Sequence, residues 1–278
     1  MKYDLKVQRG TVQKQVIKGL YICLLAAVSF FPQAEQILKI GYDEVAPFRF
    51  TNGNNQAVGY DINRVSAILD AANIQYRFYP SPWKRTLRDI ELGRLDMALS
   101  AGKIKGREAY ALFSTSVFNV GLSALFVRND YASDFSDFSA LSDLNNMKVL
   151  IGVRRGASYS DEYDALLQEP LFVDNLVNLN DTDQAIRMAM TGRIQGLIAS
   201  DEDIEHKLKE LCLQNQFSLI YDLSQSEEIE SFLMFSKKTV SADIVKRIDD
   251  AMLAVDSPSD KYKTSVEFDY PDCSSLRE

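Results

Sequence analysis

The residues best suited to binding a ligand lie in the stretch SAGKIKGREAYALFS, residues 100–114. Small residues at Ser100, Ala101 and Gly102 leave backbone N–H groups open to an incoming group, and Arg107 provides a planar fork of donors that suits a carboxylate. The stretch therefore predicts an anion site. The same residues also fit an ordinary turn followed by a solvated helix, because glycine is frequent in turns and arginine is mostly exposed.

Several aromatic and acidic residues are further candidates for the ligand site. Trp83, the only tryptophan, follows a proline at a predicted helix start and could stack on a ligand or cover the sheet. Phe48 and Tyr60 have the same two interpretations. Asp43 and Glu44 follow the first predicted strand, where they could bind a ligand cation or cap the next turn.

The remaining charged candidates are predicted to be exposed to solvent. We expect Arg85, Arg154 and Arg155 to be solvated, although a second basic group in a binding cleft would favour a dicarboxylate ligand. Arg85 is kept among the candidate site residues for that reason. His206, the only histidine, falls in the polar segment DEDIEHKLKEL and is predicted to be a surface residue rather than a catalytic base. We expect no metal, no cofactor and no catalytic residue.

These candidates need a framework, and the chain supplies alternating short apolar runs and amphipathic segments. The pattern predicts strands over 37–43, 74–80 and 95–102, a helix over 59–73, and a second helix that opens at Pro82 and closes at Gly93. Such alternation favours a mainly parallel sheet covered by helices. Ligands of such sheets bind beyond the carboxyl ends of the strands, where residues 100–102 would lie.

The pattern restarts in the second half of the chain. Residues 147–167 and 181–211 each combine an apolar run, a small-residue turn and a helical segment. Residues 231–238 then predict a strand, and residues 241–255 an amphipathic helix with Ser241 as its N-cap. The sequence thus predicts two α/β units.

Composition restricts the function. The 278 residues are 46% hydrophobic with a net charge of −8, which fits a globular protein and disfavours nucleic acid and anionic membranes as partners. Residues 1–34 have a basic leader and a short apolar run, the layout of a cleaved signal peptide, so no stable membrane insertion is expected afterwards. Cys23 would leave with the leader. In an oxidising compartment Cys212 and Cys273 could pair or stay free.

A family resemblance covers the chain from Ile37 to about Val255. It is carried by ordered stretches: APFRF, GYDINRV, PWKRTLRDIELGRLDMALS, GREAYALFST, GVRRGASY, AMTGRIQGLIASD and FLMFSKK. Together these resemble the periplasmic solute-binding proteins of polar amino-acid ABC transporters. The resemblance implies a type II, Venus-flytrap fold of two α/β lobes joined by two hinge strands. Lobe 1 would comprise residues 35–127 and 224–278, the latter with a C-terminal tail, and lobe 2 residues 128–223.

The resemblance also implies roles for individual residues. Arg107 matches the arginine that pairs with the ligand α-carboxylate, and Ser100 and Gly102 match the small positions before it. In the second lobe, Ala157 and Ser158 occupy the positions that complete the carboxylate site.

The acid that receives the ligand ammonium in this family follows the strand GLIA. Ser200 stands at its place and Asp201 one residue later, so both residues stay candidates.

The function implied is that of a monomeric periplasmic protein of a Gram-negative bacterium. It would capture an amino acid or related small carboxylate and deliver it to the permease of an ABC transporter. Two alternatives stay open. One is a hydro-lyase on the same fold, with Asp43, Glu44 or Asp201 as general acid. The other is a ligand-sensing protein that docks on a membrane receptor.

Overall fold

A computed structural model describes residues 36–224, 229–255 and 270–273 of the chain. The predicted signal peptide, residues 1–34, lies outside the described residues. The described strands are β1 (Leu38–Tyr42), β2 (Phe50–Thr51), β3 (Ala57–Val58), β4 (Tyr76–Pro80), β5 (Met97–Ala101), β6 (Ala111–Phe113), β7 (Asn119–Gly121), β8 (Ser123–Arg128), β9 (Ile151–Arg154), β10 (Leu176–Leu179), β11 (Gly196–Ser200), β12 (Phe217–Asp222) and β13 (Ile229–Ser236).

The described α-helices alternate with these strands. They are α1 (Tyr60–Ala71), α2 (Trp83–Leu92), α3 (Lys105–Glu108), α4 (Asp161–Leu166), α5 (Pro170–Asp174), α6 (Thr182–Met190), α7 (Asp201–Glu210) and α8 (Ala242–Ala254). Two 3-10 helices cover Asn129–Phe135 and Leu141–Asn146. Within the described part of the chain, no helix is both long and apolar enough to cross a membrane.

The first lobe is built on a sheet of order β4-β1-β5-β13-β6, with β7 paired to β13. Helix α1 presents buried residues at helical spacing, Ile62, Val65, Ile68 and Leu69, and packs with α8 on one face of this sheet. Helix α2 covers the opposite face. It ends at Gly93, whose φ of 74° is the left-handed conformation that stops a helix.

The second lobe is built on a sheet of order β10-β9-β11-β8-β12. The side chains of α4, α5 and the two 3-10 helices form one core cluster, and those of α6 and α7 form the other. The predicted two-lobe α/β fold is therefore confirmed. The N-cap predicted at Ser241 is also confirmed, since its hydroxyl accepts a hydrogen bond from the Ile244 N–H.

Each sheet combines parallel and antiparallel strand pairs. Strands β4-β1-β5 and β10-β9-β11 run parallel. Strands β13, β8 and β12 run antiparallel to their neighbours, because they belong to the two connections that carry the chain between lobes. Apolar alternation identifies a strand but carries no information on its direction.

The chain crosses between the sheets twice. Strand β7 lies in the first sheet, whereas β8 pairs along its whole length within the second, so the first crossing falls near Leu122 rather than at 127. The return, expected at 224, lies between Asp222 and Ile229. Strand β7 pairs antiparallel with the start of β13, which places the two connections side by side.

A disulfide joins Cys212 to Cys273, with their Cα atoms 5.4 Å apart. Of the two alternatives left open by the sequence, pairing is therefore the one found. The bond attaches residues 270–273 to the end of α7 in the second lobe, whereas the sequence grouped the tail with the first lobe.

Gly59, at the start of α1, has a conformation that other residues rarely adopt. Its φ is +121°, and a Cβ added there would lie 2.4 Å from the Phe48 carbonyl oxygen. We expect Gly59→Ala to lower the free energy of unfolding by about 2–4 kcal/mol, measured by urea denaturation.

The matched control for this substitution is Gly53→Ala, where an added Cβ meets no atom within 4 Å. Its effect on the free energy of unfolding should stay within about 0.5 kcal/mol. Equal effects of the two substitutions would contradict the assigned strain.

Candidate functional site

A cavity of about 160 Å³, here called the inner cavity, lies between the two lobes. Strand ends and helix starts of both lobes line it, as expected for sheets of this type. Four of the predicted site residues contribute to its wall: Phe48, Ser100, Ser158 and Ser200. A larger cavity of about 940 Å³, the outer cavity, shares Ser100 and Ser158 with it and extends past Gly102.

The first-lobe wall contains a buried network centred on Arg49. Its Nε lies 2.8 Å from Asp43 Oδ1, and its Nη1 lies 2.7 Å from Asp61 Oδ2. Ser100 Oγ donates to Asp61 at 2.9 Å, and Asn119 Nδ2 donates to Asp61 at 2.5 Å. The backbone of Ser100 has a φ of 50°, so these bonds fix a residue in the left-handed region. Arg49, Asp61 and Asn119 were not among the predicted site residues, although the first two lie inside the motifs APFRF and GYDINRV.

The network sets the charge of Asp43. Burial by itself would raise the pKa of this carboxyl, but the guanidinium groups of Arg49 and Arg154 outweigh it and hold the pKa below its ordinary value. Burial likewise opposes the charge of Arg49, but Asp43 and Asp61 raise its pKa. Both groups are therefore ionised at neutral pH.

Arg154 connects the lobes, and the prediction that it is solvated is wrong. Its Nη1 forms a salt bridge with Asp43 Oδ2, and its guanidinium lies 5.8 Å from the ring centroid of Trp83. Arg154 also lines the inner cavity. By contrast, Arg155 is exposed and the Arg85 side chain is 76% exposed, as predicted, and neither lines the inner cavity.

Arg107 and Trp83 both reach across to one carbonyl of the second lobe. Trp83 Nε1 donates to the Gly156 carbonyl oxygen at 3.0 Å, and Arg107 Nη2 donates to the same oxygen at 2.9 Å. Arg107 Nη1 donates to the Gly102 carbonyl at 2.8 Å. Arg107 is 4% exposed, and no carboxylate of the described residues forms a salt bridge with it. Neither Arg107 nor Trp83 lines the inner cavity.

Asp203 is a buried acid on the wall of the inner cavity that was not among the predicted site residues. It is 6% exposed and accepts a hydrogen bond from Thr182 Oγ1. Within the described ranges no basic side chain lies at salt-bridge distance from it. Burial raises its pKa, against the opposing effects of Thr182, Arg154, Lys207 and Arg49.

Of the two acid-site candidates, Ser200 lines the inner cavity and Asp201 does not. Asp201 is the first residue of α7, and burial raises its pKa as well. The signal that could have found Asp203 is the run of acids in ASDED, since residues two positions apart at a helix start point in different directions.

The other predicted residues have structural contacts. Glu44 accepts hydrogen bonds from the Thr51 hydroxyl and N–H, and Phe48 packs edge-to-face on Tyr60 at 6.1 Å. Ala101 and Ala157 are buried in the cores of their respective lobes.

His206 is buried, at 6% exposure, which corrects its predicted surface position. Tyr270 covers it, and the Tyr270 hydroxyl is hydrogen-bonded to His206 Nδ1 at 2.8 Å. The described part of the chain holds no group of three or more His, Cys, Asp or Glu side chains that could bind a metal.

The two-lobe fold with an interlobe cavity defines the class of periplasmic-type binding proteins. Residues 38–257 match the model of the bacterial extracellular solute-binding proteins, family 3, and the chain belongs to this family. The resemblance drawn from the sequence motifs is thus confirmed at the level of the family.

Individual relatives are distant. An arginine-binding periplasmic protein of Mannheimia haemolytica is 25% identical over 149 residues, which cover 53% of this chain and 55% of the relative. The match thus spans about half the length of that curated relative. A histidine kinase sensor domain with similarity to periplasmic binding proteins has a TM-score of 0.68 at 17% identity, covering 83% of this chain and 94% of the other. An ancestral arginine-binding protein bound to arginine has a TM-score of 0.67 at 17% identity, covering 82% and 96%.

Proposed function

We propose that the protein captures an amino acid or a related small carboxylate between its lobes and delivers it to the permease of an ABC transporter. The observation that carries this proposal is the inner cavity, whose wall brings the guanidinium of Arg154 and the carboxyl of Asp203 to one space lined by both lobes. A zwitterion loses much of its hydration on entering such a space, so each of its charges needs a partner there.

The carboxylate of the ligand would meet Arg154. One guanidinium nitrogen of this residue is engaged by Asp43, and the group lies on the cavity wall with a 24% exposed side chain. Its planar shape leaves further N–H donors for an incoming carboxylate. Ser100 and Ser158 line the same cavity from the two lobes, and their hydroxyl protons are donated to Asp61 and Asp164.

The ammonium of the ligand would meet Asp203. A buried carboxyl with a raised pKa becomes a better ionised acceptor when a cation arrives, because the cation lowers that pKa again. At pH values near the pKa of Asp203 in the unliganded protein, ligand binding would release a proton from this carboxyl.

The size of the inner cavity restricts the ligand. At about 160 Å³ it is close to the cavities of about 150 Å³ that hold a benzene molecule. The head group of an amino acid fits this volume. A long side chain, such as that of the arginine bound by relatives, would extend into the outer cavity past Ser100 and Ser158.

Ligand binding would act on the lobes through contacts made only when they meet. Arg154 to Asp43 and Trp83 to Gly156 already join the lobes. A ligand that touches both walls adds to these contacts and favours the closed form by its differential affinity for it. The permease would then recognise the closed form.

Arg107 is the alternative residue that could bind the ligand carboxylate, and a separate observation supports it. It is a buried guanidinium without a carboxylate partner in the described segments. To bind a ligand it would have to release the Gly156 carbonyl. We propose that its contribution is mainly to hold the lobes together.

The cellular role is part of the same proposal. We infer a periplasmic, monomeric and non-catalytic protein with no cofactor, in keeping with a family of extracellular solute-binding proteins. The histidine kinase sensor domain among the similar folds keeps a receptor as the second candidate partner. Co-purification with a receptor ectodomain, and not with a permease, would favour that candidate.

A thermal-shift screen tests the proposal. Amino acids including arginine, small mono- and dicarboxylates and polyamines are added to the wild type and to Arg154→Ala. We expect a specific amino acid to raise the Tm of the wild type, and the substitution to weaken its binding about 100-fold, since a charge-assisted bidentate pair is lost.

Two variants accompany the screen. Arg85→Ala is the matched control, because it removes an exposed arginine and should leave the shift unchanged. Arg107→Ala separates the two anchors. If it abolishes the shift while Arg154→Ala keeps it, the carboxylate lies at Arg107 instead. No shift with any compound would count against the proposed function.

A further inference from the structure

The ring of Trp83 interacts with an arginine of each lobe. The guanidinium carbon of Arg107, from the same lobe as Trp83, lies 5.5 Å from the centroid of the ring. The guanidinium carbon of Arg154, from the second lobe, lies 5.8 Å from it. Both distances are within the roughly 6 Å at which the face of an indole attracts a cation. One aromatic ring is therefore shared by the two candidate residues for binding the ligand carboxylate.

The ring offsets a repulsion between these two cations. Burial lowers the pKa of Arg107, and the charge of Arg154 lowers it further, against the opposing effects of Tyr110 and Asp164. The electron-rich face of an indole stabilises a nearby cation without carrying a full charge of its own. Trp83 therefore lowers the cost of bringing Arg107 and Arg154 to the same part of the lobe interface.

Trp83 is also bonded to the turn that follows Arg154. Its Nε1 donates to the Gly156 carbonyl oxygen at 3.0 Å, and Gly156 is only two residues beyond Arg154. Trp83 thus contacts the side chain of Arg154 with its ring and fixes the adjacent backbone with its N–H group. The two contacts together restrict where the Arg154 guanidinium lies.

Neither role considered for Trp83 from the sequence accounts for these contacts. The side chain does cover the sheet, since it is 4% exposed and packs in a core cluster with Leu87 and Ile90. It does not line the inner cavity, whereas Arg154 does. An effect of Trp83 on a ligand in that cavity would therefore pass through Arg154.

We propose that Trp83 is a positioning residue that orients Arg154 for the ligand carboxylate. The Arg154 guanidinium is held at two points, by the Asp43 carboxylate at Nη1 and by the Trp83 ring. A planar group held at two points keeps its remaining N–H donors in a fixed direction, so less order has to be imposed when a carboxylate binds. The proposal rests on the proposed function only in taking Arg154 as the residue that binds this carboxylate.

The contact between Trp83 and Arg154 is tested without a solute, because Trp83 is the only tryptophan. Acrylamide quenching of its fluorescence is compared for the wild type, Arg154→Ala and Arg155→Ala. Arg155 is the matched control, since it is the next residue and is exposed. We expect Arg154→Ala to raise the quenching constant about twofold, because the ring loses the guanidinium next to it, and Arg155→Ala to leave it unchanged. Equal constants in all three proteins would overturn the proposal.

The positioning role is tested by a double-mutant cycle on affinity. The probe is the amino acid that gives the largest thermal shift in the screen. We expect Trp83→Leu to weaken its binding about tenfold in the wild-type background, but less than about twofold in the Arg154→Ala background, because the effect passes through Arg154. A merely structural role of Trp83 would give the same loss in both backgrounds, and that result would contradict the proposal.

Trp83→Phe separates the ring from the hydrogen bond and serves if Trp83→Leu does not fold. It keeps an aromatic face but has no indole N–H, and we expect it to bind the probe within about threefold of the wild type. A loss with Trp83→Phe as large as that with Arg154→Ala would show that the ring does not position Arg154. A screen without any hit would count against the proposed function, whereas the quenching comparison would still decide on the contact, so the two failures are distinguishable.

Discussion

Replacing Arg49 by methionine is expected to destabilise the protein by about 3–5 kcal/mol at neutral pH, the largest stability effect that we predict. Arg49 is 5% exposed and pairs with two acids, Asp43 and Asp61, that are 4% and 1% exposed. Methionine fills a similar volume but leaves both carboxylates without this cation. Arg154 would still hold one oxygen of Asp43, but Asp61 would keep only polar partners.

The loss should depend on pH with a definite sign. The native pKa of Asp43 lies below its ordinary value of 3.8, so its pairing contributes stability above that value, which is lost as pH falls through the native pKa. The difference between wild type and Arg49→Met should therefore be largest near pH 7 and shrink below about pH 4, where the carboxyl is protonated in the variant.

Urea denaturation at the two pH values measures this difference. Arg85→Met is the control, since it removes an exposed arginine and should change the free energy of unfolding by less than about 0.5 kcal/mol. A loss of equal size at both pH values would show that packing, and not charge pairing, is what Arg49 contributes.

Replacing Asp203 by asparagine is expected to have two opposite effects. It should weaken binding of the amino acid identified by the screen about 100-fold, because the ammonium loses its ionised partner. It should also make the unliganded protein more stable at neutral pH. Both effects have one cause, which is the cost of keeping an acid buried on a cavity wall.

The pH dependence of stability follows from the raised pKa of Asp203. Between the ordinary value of 3.8 and the native value, the folded state holds more protons than the unfolded state. Wild-type stability from this group therefore falls as pH rises through that interval, and stays reduced above it. Asp203→Asn lacks this fall, so its advantage should appear as pH rises above about 4 and persist at pH 7.

Calorimetric titration and thermal unfolding measure these effects, and Asp201→Asn is the matched control. Asp201 lies on the same helix, two residues away, but not on the wall of the inner cavity. It should keep its affinity for the amino acid. If Asp201→Asn loses affinity and Asp203→Asn does not, the ammonium is held at Asp201, the candidate one position after the family site.

Local signals in the sequence were sufficient for the elements of the fold. Helix α2 ends where Gly93 permits the left-handed conformation, and α8 begins where Ser241 caps it. Both features depend only on neighbouring residues, so the local sequence predicts them. The family motifs then supplied the two-lobe arrangement, which periodicity alone could not.

The charged residues of the site were harder to predict, because their environment comes from distant parts of the chain. Arg154 is partly covered by Asp43 and Trp83 of the other lobe, and His206 is covered by Tyr270. Exposure of such residues is decided by tertiary contacts rather than by their neighbours in sequence. Arg107 illustrates the same point, since its guanidinium meets a carbonyl of the other lobe.

Asp43 makes the sequences of the two lobes interdependent. Its two oxygens hold one guanidinium from its own lobe and one from the other, so the core charge of the first lobe is completed by a residue of the second. A change at position 43, 49 or 154 therefore alters the charge pairing of the other two. A chimaera that takes one lobe from a homologue would keep both oxygens of Asp43 paired only if the incoming lobe supplied the matching member of this trio.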